Sequence, residues 1–175
     1  RDGEEWIYLY SFYNAENQIA QNILGLDRYK NVKKVSNIEK ELKLVEERTD
    51  ILLSDKQKEA IRAINDNNVT IITGGPGTGK TTIIKSIIEI YKQKKYKIVL
   101  CAPTGRAAKR MTETTGEEAS TLHRLLEIGK VDEESLFKKD NEYQGAPIDG
   151  DIIIVDEVSM VDMFIMSYLL DCIYK

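Results

Sequence analysis

The chain has 175 residues, enough for one α/β domain or for a small domain with part of another. Its 29 acidic and 25 basic residues leave a formal net charge of −4, which excludes a global polyanion signal; a nucleic-acid site would have to be a local patch. No run of 18 apolar residues and no basic-then-apolar leader is present, so the expectation is a soluble cytoplasmic protein without membrane contact.

Residues 1–50 read mainly as helix and are expected to be the end of an N-terminal domain, with 51–175 forming a second unit. Trp6, Tyr8, Tyr10 and Tyr13 alternate as a strand packing on a core would, although such aromatics can also stack nucleic-acid bases. Asn17 to Leu26 sets Ile19, Ile23 and Leu26 on one helical face. Ser36 and Glu39 then have the spacing of a capping box that opens a second helix, with Ile38, Leu42 and Val45 inward. A third helix is predicted from Ser54 to about Asn65, where Ser54 and Gln57 repeat the capping-box spacing and explain the glutamine structurally.

Val69 to Thr73 is rich in β-branched residues and reads as a strand, and Gly74 to Thr81 follows it in the pattern G-x-x-x-x-G-K-[ST]. The apolar spacing of Ile83, Ile84, Ile87, Ile88 and Tyr91 predicts a helix after the loop. In that context the glycines let successive backbone N–H groups turn toward a phosphate, and the helix N-terminus adds its free amides and dipole. Gly75, Gly77, Thr78 and Gly79 shape the cradle, Lys80 supplies a charge to the β- and γ-phosphates, and Thr81 offers a hydroxyl to Mg²⁺, with Thr82 in the same first turn. A turn that only joined strand to helix would need one or two glycines, not four in register with a lysine and a hydroxyl.

A lysine-rich turn leads into the strand Lys97 to Ala102, which ends in Pro103-Thr104-Gly105-Arg106 before a helix through Ala107, Ala108 and Met111. Thr104 and Arg106 thus fall on the ligand side of a parallel sheet. Thr121 to Ile128 reads as a short helix holding the only histidine, His123, to which no metal is assigned. Residues 129–149 read as a polar excursion or hairpin. Ile152 to Val155 is a continuous β-branched run of the kind buried on both faces of a parallel sheet, and it leads straight into Asp156-Glu157. At that position Asp156 can complete a Mg²⁺ shell, while Glu157 can orient and deprotonate an attacking water. Asp162 suits the cap of a further helix. Cys101 and Cys172 have apolar surroundings and no CxxC spacing, and are expected to be buried free thiols.

Five strings, Leu53 to Ile61, Gly74 to Thr81, Ala102 to Arg110, Ser120 to Leu126 and Asp156 to Asp162, stand in the order found in superfamily 1 DNA helicases. The chain most resembles the RecD-like branch, the exodeoxyribonuclease V alpha subunit and its stand-alone relatives, strongly over 51–162 and weakly over 1–50. The resemblance implies a RecA-like parallel sheet flanked by helices and an ATP- and Mg²⁺-dependent motor. That motor would move 5′-to-3′ on single-stranded DNA in recombinational repair, alone or with other subunits of a nuclease complex. It implies that Gln57 contacts the adenine, that Lys80, Thr81, Asp156 and Glu157 form the hydrolytic site, and that Thr104 and Arg106 touch the DNA backbone. Thr121, His123 and Arg124 lie in a weaker companion motif. A P-loop ATPase acting on RNA or protein, or a nucleotide-gated scaffold without turnover, stands as the alternative.

Arg1 and the apolar run stopping at Lys175 give both ends the look of cuts. The family continues with a γ-phosphate-sensing segment and with arginines of a second motor domain, so this chain alone is expected to bind Mg-ATP but to hydrolyse it poorly. The family's strand between the P-loop strand and the Asp156 strand is also expected to be missing. Its absence would leave sheet edges open to another chain or to an oligomer.

Overall fold

The computed structural model describes residues 7, 9–29, 34–128 and 146–174. Among the described residues, seven helices and three strands follow in the order α1 (Tyr10–Arg28), α2 (Ile38–Thr49), α3 (Asp55–Asp66), α4 (Lys80–Gln93), β1 (Ile98–Ala102), α5 (Gly105–Thr115), β2 (Ala119–Thr121), α6 (Leu122–Leu125), β3 (Ile152–Val155) and α7 (Met163–Tyr174). A 3₁₀ turn, Val158–Met160, joins β3 to α7. The strands form one parallel sheet in the order β2-β1-β3, with Leu100 opposite both Ala119 and Ile154.

Both faces of this sheet are covered, as the β-branched runs require. Ile152 and Ile154 turn toward a core built by α2, α3 and α4 around Leu42, Ile61, Ile87 and Ile90, whereas Ile153 and Val155 turn toward Leu122, Leu169 and Cys172. The period-2 alternation of a strand therefore divides between two hydrophobic layers. Leu42 and Val45 of α2 share their cluster with Ile61 of α3 and Ile83 of α4, so the core runs without a break across residue 50. Polar contacts reinforce that packing: Asn65 Oδ1 accepts from Val35 N at 2.8 Å and from the Tyr91 hydroxyl at 3.3 Å, and Lys94 Nζ meets the buried Glu41 carboxylate at 2.7 Å.

Three local expectations need correction. Tyr10 and Tyr13 belong to helix α1, not to a strand, while Trp6 and Tyr8 lie outside the described residues. Contact with α7 overrides the aromatic β preference: Phe12 packs edge-on to Phe164 with centroids 4.9 Å apart, and Gln18 and Asn22 donate to the two carboxylate oxygens of Asp171 at 2.6 and 2.7 Å. Helix α2 is capped by Asn37 and not by Ser36. Asn37 takes the left-handed conformation (φ 59°), which asparagine tolerates well, and its side chain accepts from Lys40 N at 3.2 Å.

The third correction concerns Val69 to Thr73, which is not a strand of the sheet. Ile72 packs on the same core as Ile152 and Ile154, whereas Ile71 is 83% exposed. A β-branched segment becomes a strand only when a neighbour takes its backbone hydrogen bonds, and β3 pairs with β1 alone among the described residues. The excursion expected over 129–149 falls largely outside the described residues.

Candidate nucleotide and nucleic-acid site

Parallel strands end on one side, and that side collects the chemistry. Thr104 follows β1, Thr121 ends β2 in register with Ala102, and Asp156 follows β3, where its N–H extends the ladder to Cys101 O at 3.0 Å. Tyr91, near the end of α4, packs edge-on to Tyr96 just before β1, with centroids 5.3 Å apart. Helix α4 therefore returns antiparallel to β1, and its amino end with the glycine loop lies toward the same carboxyl edge.

Local chemistry explains the loop. Gly77 and Gly79 hold φ values of 74° and 85°, where L side chains are strained. Gly79 is the N-cap of α4 and has no side chain to satisfy the first-turn amides, which leaves those of Lys80, Thr81 and Thr82 for a ligand. Gly74 is small because a Cβ there would stand 2.7 Å from Thr78 Oγ1, which donates to Gly75 O at 2.9 Å. Lys80 Nζ folds back over the loop and donates to the carbonyls of Gly74 at 2.5 Å and Gly75 at 2.9 Å. An ammonium has three donors, so one remains after these two contacts.

Gln57 reaches the loop from α3. Its Oε1 accepts from Ser54 N at 2.8 Å, and Ser54 Oγ accepts from Gln57 N at 3.3 Å, which completes the capping box expected from the spacing. That bond fixes the amide's orientation, because only the oxygen can face an N–H. Gln57 Nε2 therefore points away from the cap, and it stands 2.2 Å from where a Cβ on Gly79 would lie.

On β3, Asp156 Oδ1 accepts from Glu157 N at 2.9 Å. Glu157 is exposed and sits in the left-handed region (φ 52°, ψ 40°), an uncommon conformation for a residue with a side chain. Nothing in the residue type announces that conformation, so sequence reasoning missed it. Asp162 caps α7 as expected, its Oδ1 accepting from Phe164 N and Ile165 N at 2.9 and 3.0 Å.

At the neighbouring strands, Thr104 Oγ1 accepts from Ala107 N at 3.2 Å and Thr121 Oγ1 accepts from Arg124 N at 3.1 Å. Each hydroxyl keeps its own hydrogen to donate. Arg106, His123 and Arg124 are exposed beside them. Among the described residues no group of three or more His, Cys, Asp or Glu could hold a metal. Both cysteines are buried, and burial pushes the Cys101 thiol from an ordinary 9.0 up to about 12.

Residues 57–175 match the family model described as the AAA domain. The RecBCD enzyme subunit RecD of Buchnera aphidicola (subsp. Acyrthosiphon pisum) is 36% identical over 189 aligned positions, 97% of this chain and 30% of the relative. The ATP-dependent RecD2 DNA helicase of Deinococcus radiodurans is 41% identical over 118 positions, 67% of this chain and 16% of the relative. The RecBCD enzyme subunit RecD of Haemophilus influenzae is 31% identical over 144 positions, 69% of this chain and 22% of the relative. The chain thus spans between 16% and 30% of the length of these relatives. With its glycine loop, its parallel sheet covered by helices and this kinship, the chain belongs to the AAA-domain family, and within it to the RecD-like superfamily 1 helicases as an N-terminal part of their motor.

Proposed function

We propose that this chain is the ATP-binding portion of an ATP-dependent DNA helicase that moves 5′-to-3′ on single-stranded DNA in recombinational repair in the cytoplasm. The observation that supports the reading is the shared carboxyl edge, where Thr104, Thr121 and Asp156 lie at the ends of three parallel strands and toward which the amino end of α4, with Lys80, returns. In this reading residues 51–175 are part of the first RecA-like motor domain, and residues 1–50 are the end of an N-terminal helical domain docked on it. The names of the RecD relatives, subunits of a RecBCD enzyme, support a multi-subunit assembly.

The chemistry follows from the side chains. Lys80 exchanges the carbonyls of Gly74 and Gly75 for the β- and γ-phosphates, since an ammonium bonds an anionic oxygen more strongly than a neutral carbonyl. The first-turn amides of α4 hold the same phosphates, and Gln57 Nε2 is left to donate to the adenine. A set of one hydroxyl and one carboxylate, Thr81 and Asp156, fits Mg²⁺, which keeps water and takes further oxygens from phosphate. When bound, the ion neutralises charge developing on the transferred phosphoryl group. Glu157 orients the attacking water and accepts its proton. Thr104 and Thr121 donate their hydroxyl hydrogens, and Arg106 and His123 their N–H groups, to DNA phosphates, a contact without base preference.

In the full-length protein, Glu157→Gln is expected to retain nucleotide binding and lose ATP hydrolysis. Thr104→Ala with Arg106→Ala is expected to lower the stimulation of hydrolysis by single-stranded DNA. Normal DNA-stimulated turnover by either variant in a phosphate-release assay would defeat the proposal.

A further inference from the structure

The first turn of α3 is held from outside the nucleotide loop. Glu46, on α2, accepts from Leu53 N at 2.8 Å and from Lys58 Nζ at 2.9 Å, both through Oε1. Leu53 precedes the N-cap Ser54, and Lys58 is the fourth residue of the helix after it. These are the two positions that a hydrophobic staple joins at a helix start, and here one carboxylate oxygen joins them instead. Gln57 lies between the clamped residues. Its Oε1 is bound to Ser54 N, the amide next to the one Glu46 holds, and its Nε2 faces Gly79.

The clamp is built to persist. The Glu46 side chain is only 14% exposed, and the hydrogen bonds from Lys58 and from Leu53 hold its carboxyl below the usual carboxylate range. Leu53 itself is buried in the core shared by α2, α3 and α4, so the backbone it anchors has a fixed seat. A segment of irregular chain, residues 50–54, separates α2 from α3; Arg62 and Glu39 pair across the two helices farther along, whereas Glu46 is the side chain that reaches the start of α3 itself.

We propose that Glu46 is a positioning residue for nucleotide recognition: by gripping Leu53 and Lys58 on either side of Gln57, it sets the reach of Gln57 Nε2 over Gly79 toward the base of the bound nucleotide. It rests on the reading that Gln57 contacts the base. Glu46 acts on the base contact alone, because the phosphates are held by Lys80 and the amides of α4, which it does not touch.

The test uses the full-length protein, with ATP and inorganic tripolyphosphate as competing probes against a fluorescent nucleotide. Losing one hydrogen bond to the base should weaken ATP binding about five- to tenfold in Gln57→Ala. Glu46→Ala is expected to weaken ATP by a similar factor, to leave tripolyphosphate unchanged, and to raise KM with little change in kcat. Glu46→Gln keeps the acceptor for Leu53 N and should restore most of the affinity; it also serves if Glu46→Ala unfolds. Glu46→Ala with Gln57→Ala should be no weaker than Gln57→Ala alone, since both remove one interaction. If Gln57→Ala weakens ATP but the Glu46 variants do not, or if Glu46→Ala weakens tripolyphosphate equally, the positioning role falls while the base contact stands. If Gln57→Ala leaves ATP binding unchanged, the base contact falls and the positioning role with it.

Discussion

Gln57 and Gly79 compete for one volume: a Cβ built on Gly79 would stand 2.2 Å from Gln57 Nε2, far inside contact distance. The glycine at this position therefore answers two demands, a left-handed backbone at φ 85° and room for the amide above it. Gly79→Ala is expected to weaken nucleotide binding and to lower stability, with about 1–2 kcal/mol from the backbone alone. Gln57→Ala removes the clash but also the capping bond to Ser54 N, so the comparison is a cycle: Gly79→Ala should cost less stability in a Gln57→Ala background than in the parent, with the backbone strain remaining. Thermal unfolding of the parent, both single variants and the double variant measures the division, and an equal cost in both backgrounds would show that Gln57 had yielded at no cost.

Glu157 carries a backbone cost where the chemistry is expected. At φ 52° its carboxylate is presented by a conformation that glycine would adopt freely. Glu157→Gly should leave thermal stability equal to or up to about 1 kcal/mol above that of Glu157→Gln, because relief of the left-handed strain offsets the extra entropy of glycine. Both variants should lack hydrolysis. A marked loss of stability in Glu157→Gly alone would mean that the side chain, not the backbone, holds the turn.

The parts of this site that sequence makes legible are those written in neighbouring residues. The Ser54–Gln57 cap, the loop from Gly74 to Thr81, the helix after it and the Asp156-Glu157 pair all depend on contacts within a few positions or on a repeated spacing. The misread parts depend on distant partners. Tyr10 and Tyr13 are helical because α7 supplies Phe164 and Asp171 more than 140 residues away in the chain, as the Asn22 to Asp171 bond at a separation of 149 illustrates. Val69 to Thr73 has strand composition but, among the described residues, no strand beside it, and no local pattern in the sequence signals this.

That unpaired segment has a measurable consequence. Backbone amides of Ile98 to Ala102 lie between two strands, whereas those of Val69 to Thr73 have no ladder partner among the described residues. Hydrogen exchange on residues 1–175 expressed alone should be fast over 69–73 and slow over 98–102. In the full-length protein protection over 69–73 should rise, if an extended segment inserts between it and β3. Equal, slow exchange over both segments in the shorter protein would show that 69–73 is already paired, for example within an oligomer.

Cys101 should be chemically silent. Its thiol is fully buried, and burial alone lifts it to about 12 from 9.0. Only the thiolate reacts, so at pH 8 the folded protein holds about one part in 10⁴ of it at this position. The folded value is the higher one, so the contribution to stability is complete below the unfolded value near 9 and is lost as pH rises from there toward about 12. Alkylation at pH 8 is expected to label Cys101 only with global unfolding, and mass spectrometry across a denaturant series checks this. Labelling of the native protein within minutes would overturn the burial.

Thr104 separates two roles that one hydroxyl performs. Its Oγ1 caps α5 by accepting from Ala107 N, while its hydrogen is free for a phosphate. Thr104→Ala should cost about 1 kcal/mol of stability through the lost cap as well as weakening DNA binding. Thr104→Ser keeps both donor and acceptor and should behave as the parent. Arg106→Gln, exposed in the first turn of α5, touches no cap, so it should weaken single-stranded DNA without changing stability. Its salt dependence should become shallower by about one unit of slope, the signature of one lost phosphate contact. Fluorescence anisotropy of labelled single-stranded DNA across a salt series, run beside thermal melts, distinguishes the cases. An unchanged salt slope in Arg106→Gln would remove that arginine from the DNA path, and unchanged DNA binding by Thr104→Ala would leave Thr104 as a cap alone.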